Sequence, residues 1–117
     1  MSEAQDVIAV TTPTVTSMTI VRTMGTVFGI VVRSRGIGGN VVAGLRSLAG
    51  GEIKEYTEML EQARTHALDR MKAYAAELGA NGVVAMRFDS SEIGQTMSEI
   101  VAYGTAVVLE PAHEAPR

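Results

Sequence analysis

Residues 52–78 read EIKEYTEMLEQARTHALDRMKAYAAEL. Within them Ile53, Tyr56, Leu60, Ala63, Ala67, Met71, Tyr74 and Leu78 recur at spacings of three and four, which sets them on one face of a helix. Lys54, Glu58, Glu61, Arg64, Thr65, Lys72 and Glu77 fall on the opposite side. Glu52 and Glu55 stand in the first turn, where carboxylates favour the positive end of the helix dipole, and Gly79 follows Leu78 as the expected cap. The pattern predicts one helix over 52–78, about 40 Å long at 1.5 Å per residue. A helix with one apolar stripe must bury it against another layer, and a single long helix can bury one face of an antiparallel sheet.

The flanks supply the sheet. Val7-Ile8-Ala9-Val10-Thr11-Thr12 is a β-branched run stopped by Pro13, and Met18 to Arg33 is again rich in Val, Ile, Thr and Phe, with a bend expected near Gly25. Ser34 to Gly51 holds six glycines around Val41-Val42-Ala43-Gly44-Leu45, read as a short helix between loops. Beyond Gly79, Val83 to Phe88 and Met97 to Leu109 form a hairpin with Asp89 to Thr96 as its turn. An unbulged hairpin with that turn sets Arg87 opposite Glu99 as a cross-strand ion pair, Ala85 opposite Val101 and Val83 opposite Tyr103. Residues 112–117 carry no apolar periodicity and read as a flexible tail.

The expected fold is α+β, with one long helix packed on an antiparallel sheet. The last strand is apolar on both faces: Met97, Val101, Tyr103, Val107 and Leu109 on one, Ile100, Ala102, Ala106 and Val108 on the other. One helix covers one face, and the remaining residues are too few for another layer, so another copy of the chain is the expected cover. Ile100, Ala102, Tyr103 and Val108 are the expected interface residues.

Several ordered motifs resemble the YbjQ family of small bacterial and archaeal proteins. The core of the resemblance is Leu78-Gly79-Ala80-Asn81-Gly82-Val83-Val84-Ala85-Met86-Arg87-Phe88-Asp89. Upstream it includes Gly25-Thr26-Val27-Phe28-Gly29 and Gly50-Gly51-Glu52 before Tyr56-Thr57. Downstream it includes Glu92-Ile93-Gly94 and Ala102-Tyr103-Gly104-Thr105-Ala106-Val107-Val108. The resemblance spans roughly residues 7–110 and implies a single domain over 1–110, with 111–117 as the tail. It further implies a YbjQ-like, dodecin-like two-layer protomer assembled in a ring, most often a pentamer, together with a heavy-metal-binding label that has no established mechanism.

Composition narrows the chemistry. The 117 residues carry a net charge of −3 and no Cys. That balance gives no electrostatic basis for holding nucleic acid or an anionic membrane, and thiolate metal sites, Fe–S clusters, disulfides and cysteine nucleophiles are excluded. The acidic, polar opening Met1 to Asp6 is unlike an export signal, and the uncharged stretch from Val7 to Val21 is broken by Thr, Ser and Pro, so a cytoplasmic protein is expected.

No cofactor, metal or catalytic constellation is found. Gly39 to Ser47 has P-loop glycine spacing, but Leu45 and Arg46 stand where Lys and Ser or Thr belong. His66, mid-helix, has only Gln62 and Arg70 one turn away, His113 lies in the tail, and Ser90, Ser91 and Ser98 have no His nearby in sequence. Asp89 and Glu92 are three apart in the expected turn, a conceivable hard-cation pair without the EF-hand pattern. The expected function is a non-enzymatic homo-oligomer with a binding or scaffold role. The alternative is a binder of a small molecule or metal ion in the ring channel or at subunit interfaces.

Overall fold

A two-layer α+β unit emerges in the computed structural model, which describes residues 6–34 and 54–113. Its elements are β1 (Ile8–Ala9), β2 (Met18–Ser34), α1 (Lys54–Glu77), β3 (Gly82–Ile93) and β4 (Met97–Pro111). The strand order is β1-β3-β4-β2. The short helix expected at 41–45 lies outside the described residues.

The sheet is mixed rather than antiparallel throughout, because β1 runs parallel to β3. The β-branched run at the start pairs in the ladder only over Ile8 and Ala9. It nevertheless keeps bonding β3 as far as Thr12, through Val10 N–H to the Val83 carbonyl and Ala85 N–H to the Thr12 carbonyl.

The helix buries Ala63, Ala67, Met71 and Ala75, a row of fourfold spacing made mostly of alanine. Such small side chains let the helix backbone sit close to the sheet. At Gly29 of β2 a Cβ would collide with the Ala67 carbonyl and lie 2.5 Å from the Met71 nitrogen. Val27, Val31, Val83, Met86, Ile100, Ala102 and Ala106 complete this core from the sheet side. The helix ends as its cap residue predicts. Gly79 adopts φ +88°, its N–H bonds the Ala76 carbonyl, and Ala80 N–H bonds the Ala75 carbonyl, the paired closure of a Schellman motif.

β2 is one continuous strand whose pairing with β4 shifts between Ile20 and Arg22 and again between Thr23 and Gly25. The bend expected near Gly25 is thus a pair of bulges, and Gly25 has φ +120°.

The hairpin register corrects the sequence reading. The turn is Gly94 to Thr96, not Asp89 to Thr96, and β3 runs on to Ile93. Arg87 stands opposite Tyr103, Val83 opposite Ala106, and Glu99 opposite Ser91. The expected Arg87–Glu99 pair is therefore not formed. The guanidinium of Arg87 donates to the carbonyls of Thr11 and Met86, while Glu99 accepts from the Ser91 hydroxyl at 3.2 Å. The shorter turn is the cause for Arg87: the polar run Asp89 to Glu92 lies where the sheet is exposed, so extending the ladder buries no charge. Beyond Arg87, a bulge between Val84 and Arg87 adds a residue to β3 and sets Val83 opposite Ala106. There Ala85 takes φ +52°, and the N–H groups of Ala85 and Met86 turn to the N-terminal segment instead of β4.

Candidate functional site

The two faces of the sheet are covered unequally. Above lies α1. Below, Val84, Val107 and Leu109 form a smaller core capped by Val10, Val15, Met18 and Ile20. That segment reaches only the proximal half of the lower face.

On the distal half, pairing aligns four rungs across β2, β4 and β3: Phe28–Tyr103–Arg87, Ile30–Val101–Asp89, Val32–Glu99–Ser91 and Ser34–Met97–Ile93. Alternation along each strand points these residues away from the helix, except that Phe28, on edge strand β2, reaches back to it. Val32 is 50% exposed, Phe28 46%, Tyr103 40%, Ile93 39%, and Ile30 and Met97 38% each. An apolar strip along β2 and β4 thus lies beside a polar column on β3. Phe28 also touches α1, its ring meeting Tyr74 edge to face at 5.6 Å between centroids.

This placement corrects half of the expected interface. Ile100 and Ala102 are 5% and 0% exposed because α1 lies on them, so the chain itself already covers that face. Tyr103 is exposed on the lower face, and Val108 is half-buried opposite Arg22. Phe28, Ile30 and Val32 were missed as surface residues. Their signal was present in the unbroken apolar run from Ile30 to Val32, which leaves neither face of β2 polar.

The free strand edges carry charged side chains. Arg70 of α1 donates to the Ile30 carbonyl of edge strand β2 at 2.6 Å. On β3, beyond the reach of the N-terminal segment, the Asp89 carboxylate accepts from Ser90 N–H at 2.9 Å. No local pattern could have announced the Arg70 contact, which joins residues 40 positions apart.

The titratable candidates do not converge. His66 Nδ1 is 3.0 Å from Arg33 Nη2, and since a guanidinium only donates, the ring nitrogen accepts. Arg33 Nε is buried without a hydrogen-bond partner among the described residues. A surface depression of about 340 Å³ beside them is lined by Glu58, Glu61, Gln62, Thr65 and His66. His113 is exposed past β4. Asp89 and Glu92 lie in β3, not in a turn, and their odd spacing sends them to opposite faces, so they cannot share a cation. Among the described residues no three His, Asp or Glu side chains gather as a metal site, and no helix is long and apolar enough to cross a membrane.

Among the described residues, one helix on a four-stranded curled sheet defines the class, an α+β two-layer protein in which they leave half of one sheet face uncovered. The chain belongs to the YbjQ family, whose family model, described as "Putative heavy-metal-binding", matches residues 7–110. It is 68% identical over 105 residues to a UPF0145 protein of Bradyrhizobium sp. (strain ORS 278), covering 90% of this chain and 95% of that one. A UPF0145 protein of the archaeon Thermoplasma acidophilum is 62% identical, over 90% of this chain and 88% of its own. Among solved structures, a DUF74-family protein of unknown function from Pediococcus pentosaceus shares the fold. Its TM-score is 0.58 at 18% identity, and the match covers 89% of this chain and 98% of that one.

Proposed function

We propose that this protein is a non-enzymatic binding or scaffold protein that works as a homo-oligomer, with a ring of five as the favoured assembly and the cytoplasm as its place of action. The observation that carries the reading is the apolar strip of β2 and β4, left uncovered among the described residues, five of whose large side chains are 38–50% exposed. Soluble monomers seldom leave contiguous apolar surface of more than a few hundred Å² in water. The subunit count rests on the family resemblance, since an apolar pattern cannot count subunits.

A second reading is a binder of a metal ion or small molecule in the ring channel or at the subunit interfaces. The family description favours it, while the absence of Cys argues against a soft-metal site built on thiolates.

Native mass spectrometry of untagged protein, with metal and small-molecule analysis of the same sample, tests both readings. A multimer without stoichiometric ligand supports the scaffold. A multimer with a stoichiometric ligand supports the binder, and a monomer at micromolar concentration removes the first reading.

A further inference from the structure

We infer that Asn81-Gly82 is a site of spontaneous covalent modification, deamidation through a succinimide, which the fold holds off and which any opening of the start of β3 releases. The chain holds two asparagines, Asn81 before Gly82 and Asn40 before Val41. A glycine nitrogen turns most freely toward the side chain that precedes it, because no Cβ limits the approach, whereas the β-branched Val41 crowds it.

The chemistry needs only water. The Gly82 nitrogen attacks Asn81 Cγ, forming a new N–C bond, and the side-chain amide nitrogen departs as ammonia carrying the Gly82 proton. Water then cleaves the cyclic imide at either of its carbonyls. Cleavage at Cγ leaves aspartate. Cleavage at the main-chain carbonyl leaves isoaspartate, whose chain runs on through Cγ and is longer by a methylene. Nothing is oxidised or reduced, and both routes put a carboxylate where a neutral amide stood.

In the folded chain every reacting group is tied. Asn81 Nδ2 donates to the Leu109 carbonyl at 2.9 Å, and Oδ1 accepts from Leu109 N–H at 2.7 Å. The Asn81 N–H donates to the Val107 carbonyl and the Asn81 carbonyl accepts from Ile8 N–H, both at 3.1 Å. Ring closure must turn the side chain and the following peptide until the Gly82 nitrogen faces Cγ, which breaks the Leu109 pair and the Ile8 bond together. Asn81 itself is exposed, so water is at hand and the lock is conformational.

The same contacts account for the reactive dipeptide. A Cβ at Gly82 would stand 2.5 Å from Leu109 Cδ1 and 3.3 Å from Val107 Cγ2, both side chains being buried. Asparagine offers the Leu109 main chain the donor and the acceptor it needs, and aspartate does not. After conversion to aspartate, one carboxylate oxygen still accepts from Leu109 N–H, while the other faces the Leu109 carbonyl with no proton to give. Isoaspartate also lengthens the main chain between the N–H bound to Val107 and the carbonyl bound to Ile8. Either product loosens β3 from β4 and β1, so an opening that ends in reaction does not close again as before.

The untagged chain would be incubated in mildly alkaline buffer, folded and in urea, and peptide mapping by mass spectrometry would follow amide-to-acid conversion at both asparagines. In urea Asn81 is expected to convert at least about tenfold faster than Asn40. Folding is expected to slow Asn81 by at least about tenfold, because reaction then waits on local opening. The urea midpoint of the modified protein, and of Asn81→Asp, should fall below that of the unmodified chain. Equal rates for the two asparagines in urea would remove the reactive site, and a rate at Asn81 unchanged by folding would remove the lock. A modified protein with an unchanged midpoint would overturn the loosening of β3. The mapping uses only the natural chain, so both rate comparisons stand even if Asn81→Asp fails to fold.

Discussion

Gly29 marks the point where β2 and α1 touch backbone to backbone. A methyl there meets the Ala67 carbonyl and the Met71 nitrogen, neither of which can rotate away. Gly29→Ala is therefore expected to cost about 1–3 kcal/mol or more, as overpacking does, read as a lowered denaturant midpoint at unchanged m-value. Arg87 supports a different expectation. With its guanidinium on the carbonyls of Thr11 and Met86 and with Glu99 on Ser91, the two residues act separately. In a double-mutant cycle of Arg87→Ala and Glu99→Ala the losses should add to within about 0.5 kcal/mol. A larger coupling would restore the ion pair that the observed register separates. Asn81 is the residue whose role had no sequence signal. Its side chain takes Leu109 N–H at 2.7 Å and donates to the Leu109 carbonyl at 2.9 Å, fastening the start of β3 to the end of β4.

At the scale of elements, the helix needs both its small-residue face and its terminal cap. Gly79 holds a left-handed conformation with nothing within 4 Å of where a Cβ would stand. Gly79→Ala then suffers from backbone strain and not from crowding, and should lose about 1 kcal/mol after the smaller entropy of the unfolded alanine chain is counted. Urea unfolding followed by circular dichroism measures it. The edge of β2 calls for another probe. Removing Arg70 frees the Ile30 carbonyl, so Arg70→Ala should cost no more than about 1 kcal/mol of stability yet scatter more light on prolonged incubation. Equal scattering for the two proteins would show that Arg70 does not guard the edge.

The whole molecule is long for its chain length. β2 alone spans about 56 Å at 3.3 Å per residue, against overall extents of 66 × 27 × 22 Å. A slab two layers thick leaves much of one sheet face to be covered from outside. If another copy supplies that cover, the melting temperature should rise with protein concentration, since association stabilises the folded state by mass action; a melting point independent of concentration over a hundredfold range would count against it. Zn²⁺ and Cu⁺ are expected to bind no more tightly than micromolar to untagged protein, because thiolates are absent and His66 and His113 lie on different elements. Calorimetry checks this. Stoichiometric submicromolar binding that His66→Ala abolished would point to histidines converging from several copies.

The sequence by itself determined the elements and their class. Helix periodicity, the Gly79 cap, the β-branched strands and the bend before Val27 are written in contacts among near neighbours, and local spacing reports such contacts directly. The two-sided apolar character of β4 was legible for the same reason, because alternation along one strand needs no partner. Tertiary structure alone decided register and cover. Whether Val83 meets Val107 or Ala106 turns on a bulge at Ala85, held by Thr12 and Val10 from more than 70 positions away. That Ile100 and Ala102 are sealed while Tyr103 is bare turns on which side of the sheet α1 settles, and Gly29 sets how closely. Interactions of that range leave no spacing in the chain, since they depend on the free energy of the assembled layers and not on any one segment.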